Sequence, residues 1–137
     1  MTNKEITTNE LTKQFTTYLL ALKLHLVDFD EPCFGYYHNS KMGEINQELI
    51  MKQTSPGFYD RIKIPEHINV LAPTYSQAFN WFRKKGYFIS LSTHDHNLHD
   101  FFIKWSPEKS FLSDIYDTYE EAEIACLEKL IEIVESK

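Results

Sequence analysis

Residues Thr118 to Lys137 read TYEEAEIACLEKLIEIVESK, and this stretch decides how the rest of the chain is read. Thr118 followed three residues later by Glu121 is a capping box, in which hydroxyl and carboxylate satisfy free N–H groups of the first helical turn. Glu120 and Glu121 add negative charge at the positive end of the helix dipole. Tyr119, Ala122, Cys126, Leu127, Leu130, Ile133 and Val134 then recur at helical spacing and predict one apolar stripe, with the glutamates mostly away from it. A helix of this kind must cover something, and the preceding chain has to supply what it covers.

The length of 137 residues fits a single domain, 1–137, with one core. A formal net charge of −6 argues against a general nucleic-acid or anionic-membrane binder, because both need a basic surface. The one basic run, Arg83-Lys84-Lys85, falls where a helix should end and there complements the dipole. Cys33 and Cys126 are far apart and in no metal-ligand spacing, so neither a disulfide framework nor a zinc site is indicated and a cytoplasmic location is expected. The opening residues Met1-Thr2-Asn3-Lys4-Glu5 do not read as a secretory signal. The most apolar run, Tyr18 to Val27, is interrupted by Lys23 and His25 and is too short to span a bilayer.

Taken in order, Glu10 to Val27 predicts an amphipathic helix with Leu11, Phe15, Tyr18, Leu19, Leu22 and Leu26 on one face. Pro32 ends that pattern, since the residue before a proline avoids the helical region. Cys33 to His38 reads as an aromatic strand, Asn39 to Gly43 as a turn, and Glu48 to Gln53 as the returning arm of a hairpin. Ser55-Pro56-Gly57 is a further turn, and Arg61 to Ile64 alternates like a short edge strand ended by Pro65. The remainder up to Pro73 shows no clear element, and so long a connection signals one that the pattern does not reveal. Thr74 and Gln77 form a second capping box, and Gly86 is a natural terminator for the helix between them. Tyr87 to Ser92 and Phe101 to Ser106 alternate as two strands joined by a polar loop, with Tyr87, Ile89 and Leu91 on one face and Phe101, Ile103 and Trp105 likewise. Pro107 stops the second. A loop carrying Phe111, Leu112, Ile115 and Tyr116 then tucks under the last helix. The matching starts TYSQA and TYEEA suggest two related helix–strand–strand units with one closing helix.

Three blocks, FDEPCFGYY at 29–37, APTYSQAFNWFRKK at 72–85 and YDTYEEAEIACLEKLIEIV at 116–134, resemble a group of small uncharacterised proteins of Bacteroides-type bacteria and of their phages and mobile elements. The resemblance implies no activity, cofactor or catalytic residue.

Residues 93–100 (THDHNLHD) gather three of the six histidines and two aspartates. In extended backbone His94 and His96 point the same way, so they could share a zinc with His99 or Asp100 closing the site. That reading gives a metal-dependent enzyme or sensor; the competing one is a solvated hairpin loop with no metal. No GxSxG, P-loop or GxGxxG is present and there are only four glycines, so nucleophile elbows and nucleotide cradles are not indicated and neither catalytic residues nor a cofactor are expected. The order helix–strand–strand–helix over 74–135 resembles a double-stranded-RNA-binding domain. The last segment, however, carries six acidic and two basic residues, the wrong sign for phosphate. Alternation also places Phe88 and Phe102 on the sheet face opposite the core, where they would form an exposed apolar patch.

These readings predict an α+β domain: an antiparallel sheet of about four strands with three helices mainly on one face. They predict a non-enzymatic interaction or accessory protein, self-associating through the open sheet face at Phe88 and Phe102, with no membrane partner.

Overall fold

The computed structural model describes residues 13–33, 35–39, 47–51 and 69–136. Among them lie three helices, α1 (Tyr18–Leu26), α2 (Tyr75–Lys84) and α3 (Tyr119–Glu135). There are six strands, β1 (Gly35–Asn39), β2 (Gln47–Met51), β3 (Asn69–Ala72), β4 (Phe88–His94), β5 (Leu98–Ser106) and β6 (Lys109–Leu112). The α+β class is as the pattern predicts, with the strands shared between two three-stranded antiparallel sheets, ordered β2-β1-β3 and β4-β5-β6. The chain divides into two compact units, Met1–Gln77 and Ala78–Lys137. The first runs helix then three strands and the second adds a closing helix to that order; the first strand is central in one sheet and the second in the other.

In the first unit, β1 pairs with β2 from Gly35↔Met51 to Asn39↔Gln47, so the predicted hairpin forms. On its other side β1 pairs with β3, matching Gly35 to Ala72 and Tyr37 to Val70. Strand β3 is the element hidden in the unassigned stretch. Its four residues stop at Pro73 and are too few to show a period. The predicted strand at 61–64 and the turns at 39–43 and 55–57 lie wholly or largely outside the described residues.

Within the described residues the predicted amphipathic helix is interrupted at 14–17, resumes over Tyr18–Leu26, and is turned about its axis relative to the predicted face. Phe15 bridges to Thr74 as extended backbone, and Thr17 caps α1 by accepting from the Leu20 N–H at 3.3 Å. Leu20, Ala21 and Leu24 are buried, while Leu19 and Leu26 of the predicted face are 57% and 68% exposed. Leucines ring this helix, so periodicity could not choose a side; packing against β3 chose it. The buried Thr16 fixes the approach. Its N–H and hydroxyl both donate to the Pro73 carbonyl, at 2.9 and 3.0 Å, and its own carbonyl accepts from the Tyr37 hydroxyl. Every polar group of that side chain and peptide is thereby satisfied, which a fully buried threonine requires.

Both α1 and α2 end in the same hydrogen-bonded turn. After α1, Asp28 takes φ 70°; its N–H donates to the His25 carbonyl at 3.1 Å and that of Phe29 to Leu24 at 3.0 Å. After α2, Gly86 takes φ 100°; its N–H donates to Arg83 at 3.0 Å and that of Tyr87 to Phe82 at 3.2 Å. These are Schellman motifs, completed by apolar contact between the residue after the turn and the last helical turn. Tyr87 meets Phe82 edge to face with ring centroids 5.7 Å apart. The first helix therefore stops at Asp28, before Pro32 can act. The capping box of α2 is complete: the Gln77 N–H donates to Thr74 Oγ1 at 3.1 Å and the Thr74 N–H to Gln77 Oε1 at 3.0 Å.

In the second unit, α3 packs on β5 and β4. Ala122, Cys126, Leu127, Leu130 and Ile133 are buried as predicted, joined by Ile131, while Tyr119 is 42% exposed. Opposite them Ile89, Phe101 and Ile103 are buried. The loop expected after Pro107 contains β6: Ser106 pairs with Lys109 across Pro107-Glu108, and Phe102 with Leu112. Phe111 lies against Phe101, but Leu112 and Ile115 are exposed and do not tuck under α3.

A Cβ at Gly86 would meet no atom within 4 Å, so Gly86→Ala acts through backbone strain alone. Chemical denaturation should show a loss of about 1 kcal/mol, with Gly86→Asn costing roughly half as much because asparagine tolerates the left-handed region.

Candidate interaction surface

The pleat of β5 sorts the second sheet into two faces. Residues His99, Phe101 and Ile103 are buried toward α3. Leu98, Asp100, Phe102 and Lys104 take the other face, where β4 contributes Phe88, Ser90, Ser92 and His94, and β6 contributes Ser110 and Leu112. Phe88 and Phe102 sit together there, centroids 6.2 Å apart at 66° between planes. Leu112 is directly opposite Phe102 on β6. Phe88 and Leu112 are 58% and 66% exposed, so the sheet carries an apolar stripe across all three strands. Phe88 and Phe102 were legible from alternation; Leu112 was missed, although Ser106-Pro107-Glu108-Lys109 has the proline of a tight turn and signals the hairpin that places it.

The same pleat separates the histidines. His94 is on the open face, its Nε2 3.1 Å from Asp100 Oδ2. His99 is on the core face, with Nδ1 3.1 Å from Thr93 Oγ1 and its ring 6.0 Å from that of Tyr119. His96 occupies the turn between the strands with φ 65°, followed by Asn97 at φ 57°. The structure thus does not bring His94, His96 and His99 together. Among the described residues no three His, Cys, Asp or Glu side chains are grouped to hold a metal ion.

Among the described residues, the cysteines and the basic run have structural surroundings. Burial pushes the thiols of Cys33 and Cys126 up to about 12, which keeps both protonated and poorly nucleophilic at neutral pH. The basic run sits at the end of α2, where Arg83 Nη2 donates to the Ile89 carbonyl at 3.2 Å and Lys85 lies over the Trp81 ring. Among the described residues no helix is long and apolar enough to cross a membrane.

Compared with known proteins, the chain matches no family model, no curated protein and no solved structure. The candidate surface rests on its own geometry.

On α3, burial and then the neighbouring Glu120 raise the Glu123 carboxyl from 4.5 to about 7. The folded state holds this proton more tightly than the unfolded chain, so the group's ionisation lowers stability progressively as pH rises from about 4.5 to about 7. Glu123→Gln should melt higher than the native protein at pH 8 and lose that advantage at pH 4. An equal difference at both pH values in thermal melts would contradict this.

Proposed function

We propose that the chain is a non-enzymatic interaction module that associates with a second copy through the open face of the second sheet. The observation carrying this reading is the contiguous Phe88–Phe102–Leu112 stripe, in which Phe88 and Leu112 lie largely in solvent. Exposed apolar patches of this kind mark contact surfaces. The charges beside it favour a copy of the same chain. Asp100 and Lys104 stand two residues either side of Phe102 on β5. Two sheets stacked with their central strands antiparallel would set each Asp100 over the partner's Lys104. A two-fold interface requires this kind of self-complementarity.

Scale bounds the strength. Three strands at about 4.8 Å spacing and seven residues at about 3.4 Å give a face of roughly 300 Å², well under the ~800 Å² per partner of stable complexes. The association is therefore weak and concentration-dependent. A metal-dependent role for the histidine loop gains no support, because His94 and His99 point to opposite faces. Nucleic-acid binding gains none either, since α3 opens with Glu120, Glu121 and Glu123.

Light scattering coupled to size exclusion tests the proposal. The native protein should gain mass with concentration, and a folded Phe88→Asp, Phe102→Asp variant should show half that mass or less under the same conditions. Equal masses for the two would overturn it.

A further inference from the structure

The sheet also has an edge, and its hydrogen-bonding groups can be assigned. On β5, the Phe101 N–H donates to Ser113 Oγ at 2.9 Å and its carbonyl accepts from the Ser113 N–H at 3.0 Å. The His99 N–H and carbonyl likewise bond Tyr116, at 2.9 and 2.7 Å. Both residues therefore turn their backbone groups away from β4. In an antiparallel ladder, opposed residues either exchange both hydrogen bonds or neither. Leu91 opposite Phe101 and Thr93 opposite His99 are consequently non-bonded pairs, and their N–H and carbonyl groups point outward from β4. Ile89, opposite Ile103 two residues on, follows the same phase. Its carbonyl is where Arg83 Nη2 lands. Among the described residues no strand pairs with this edge.

Protein edges are normally guarded by shortness, charge, proline or a bulge. The opposite edge has such guards: β6 is four residues long, starts at Lys109, and faces an irregularity between Lys104 and Ser106. The outer edge of β4 lacks most of them. Phe88-Ile89-Ser90-Leu91-Ser92-Thr93 holds no charge, proline or glycine, and among the described residues only the Ile89 carbonyl of its outward backbone groups is engaged, by Arg83.

We infer that the outer edge of β4 is a second association surface and that its occupant is the β4 strand of another copy, paired antiparallel about Leu91. The strand is self-complementary in that register. Leu91 meets the partner's Leu91, Ile89 meets the partner's Thr93, and these outward residues exchange N–H···O bonds in pairs. Between them Ser90 meets the partner's Ser92, so no like charges oppose one another. The Ile89 carbonyl has a second lone pair, so Arg83 need not leave. The product is one continuous six-stranded sheet with both Phe88–Phe102–Leu112 stripes on the same side. This inference uses a different surface from the proposed face contact and stands or falls separately.

Leu91→Pro tests it, because proline removes an N–H that the ladder with β5 does not use, and edge strands tolerate proline in that orientation. The expected result is a folded variant, checked by circular dichroism, with half the native mass at the same concentration. Combining it with Phe88→Asp and Phe102→Asp should then give a monomer. A folded Leu91→Pro protein of unchanged mass would overturn the inference while leaving the face contact intact. Amide hydrogen exchange on the native protein gives a second readout that needs no substitution. Protection at Ile89, Leu91 and Thr93 should rise with protein concentration, whereas exchange at these amides independent of concentration would overturn the edge pairing.

Discussion

The period-two pleat of β5 is the constraint on which the second unit depends. Because consecutive side chains of a strand point to opposite faces, Phe101 and Ile103 must be buried if Phe102 is to lie on the outer face. That one alternation sets the surface α3 covers, brings Phe102 beside Phe88, and sends His99 inward while Asp100 stays outward with His94. A shift of one residue would invert every assignment, exposing Phe101 and Ile103 and burying Lys104. The register is held at one end by the backbone pairing of His99 with Tyr116 and along β6 by Ser113, whose hydroxyl and N–H both serve Phe101.

The first unit is organised by a buried polar residue rather than an alternation. Thr16 places two donors on the Pro73 carbonyl and offers its own carbonyl to Tyr37. Proline has no N–H with which to continue a ladder, so the approach of 14–16 to 73–75 is closed instead by Thr16 and by the Tyr75 N–H donating to the Gln14 carbonyl. Leaving a polar group of the fully buried Thr16 unpaired would cost on the order of 1–3 kcal/mol. The clamp fixes where α1 begins and so which of its leucines turn inward.

Function follows from what is left uncovered. The thiols of Cys33 and Cys126 are buried and protonated and the histidines are divided between two faces, whereas the outer sheet face and the β4 edge leave apolar atoms and backbone hydrogen-bonding groups facing outward. Sheet faces and sheet edges are complementary kinds of surface, one burying side chains and the other pairing main chain. Their presence on the same three strands is the basis for the proposal that this unit associates.

Much of this was legible because its physics is local. The capping box at Thr74, the N-cap at Thr118, the glycine stop at Gly86 and the alternation of β4 and β5 depend on residues within a few positions of one another, and all appear in the structure. At Thr118 the Glu121 carboxylate accepts from the threonine hydroxyl, so only the N-cap half of the expected box forms. The α3 stripe was legible for the same reason, apart from Ile131, which widens it, and Tyr119, which leaves it. Strands β3 and β6 were not, because each has four residues and gains its identity only from the strand beside it. The buried side of α1 was not, because a helix ringed by leucine presents equivalent faces until something is packed against one of them. The sequence by itself determined where helices start and stop and which side chains of the long strands share a face. The tertiary structure alone decided which of those faces is covered, since burial depends on what arrives from elsewhere in the chain.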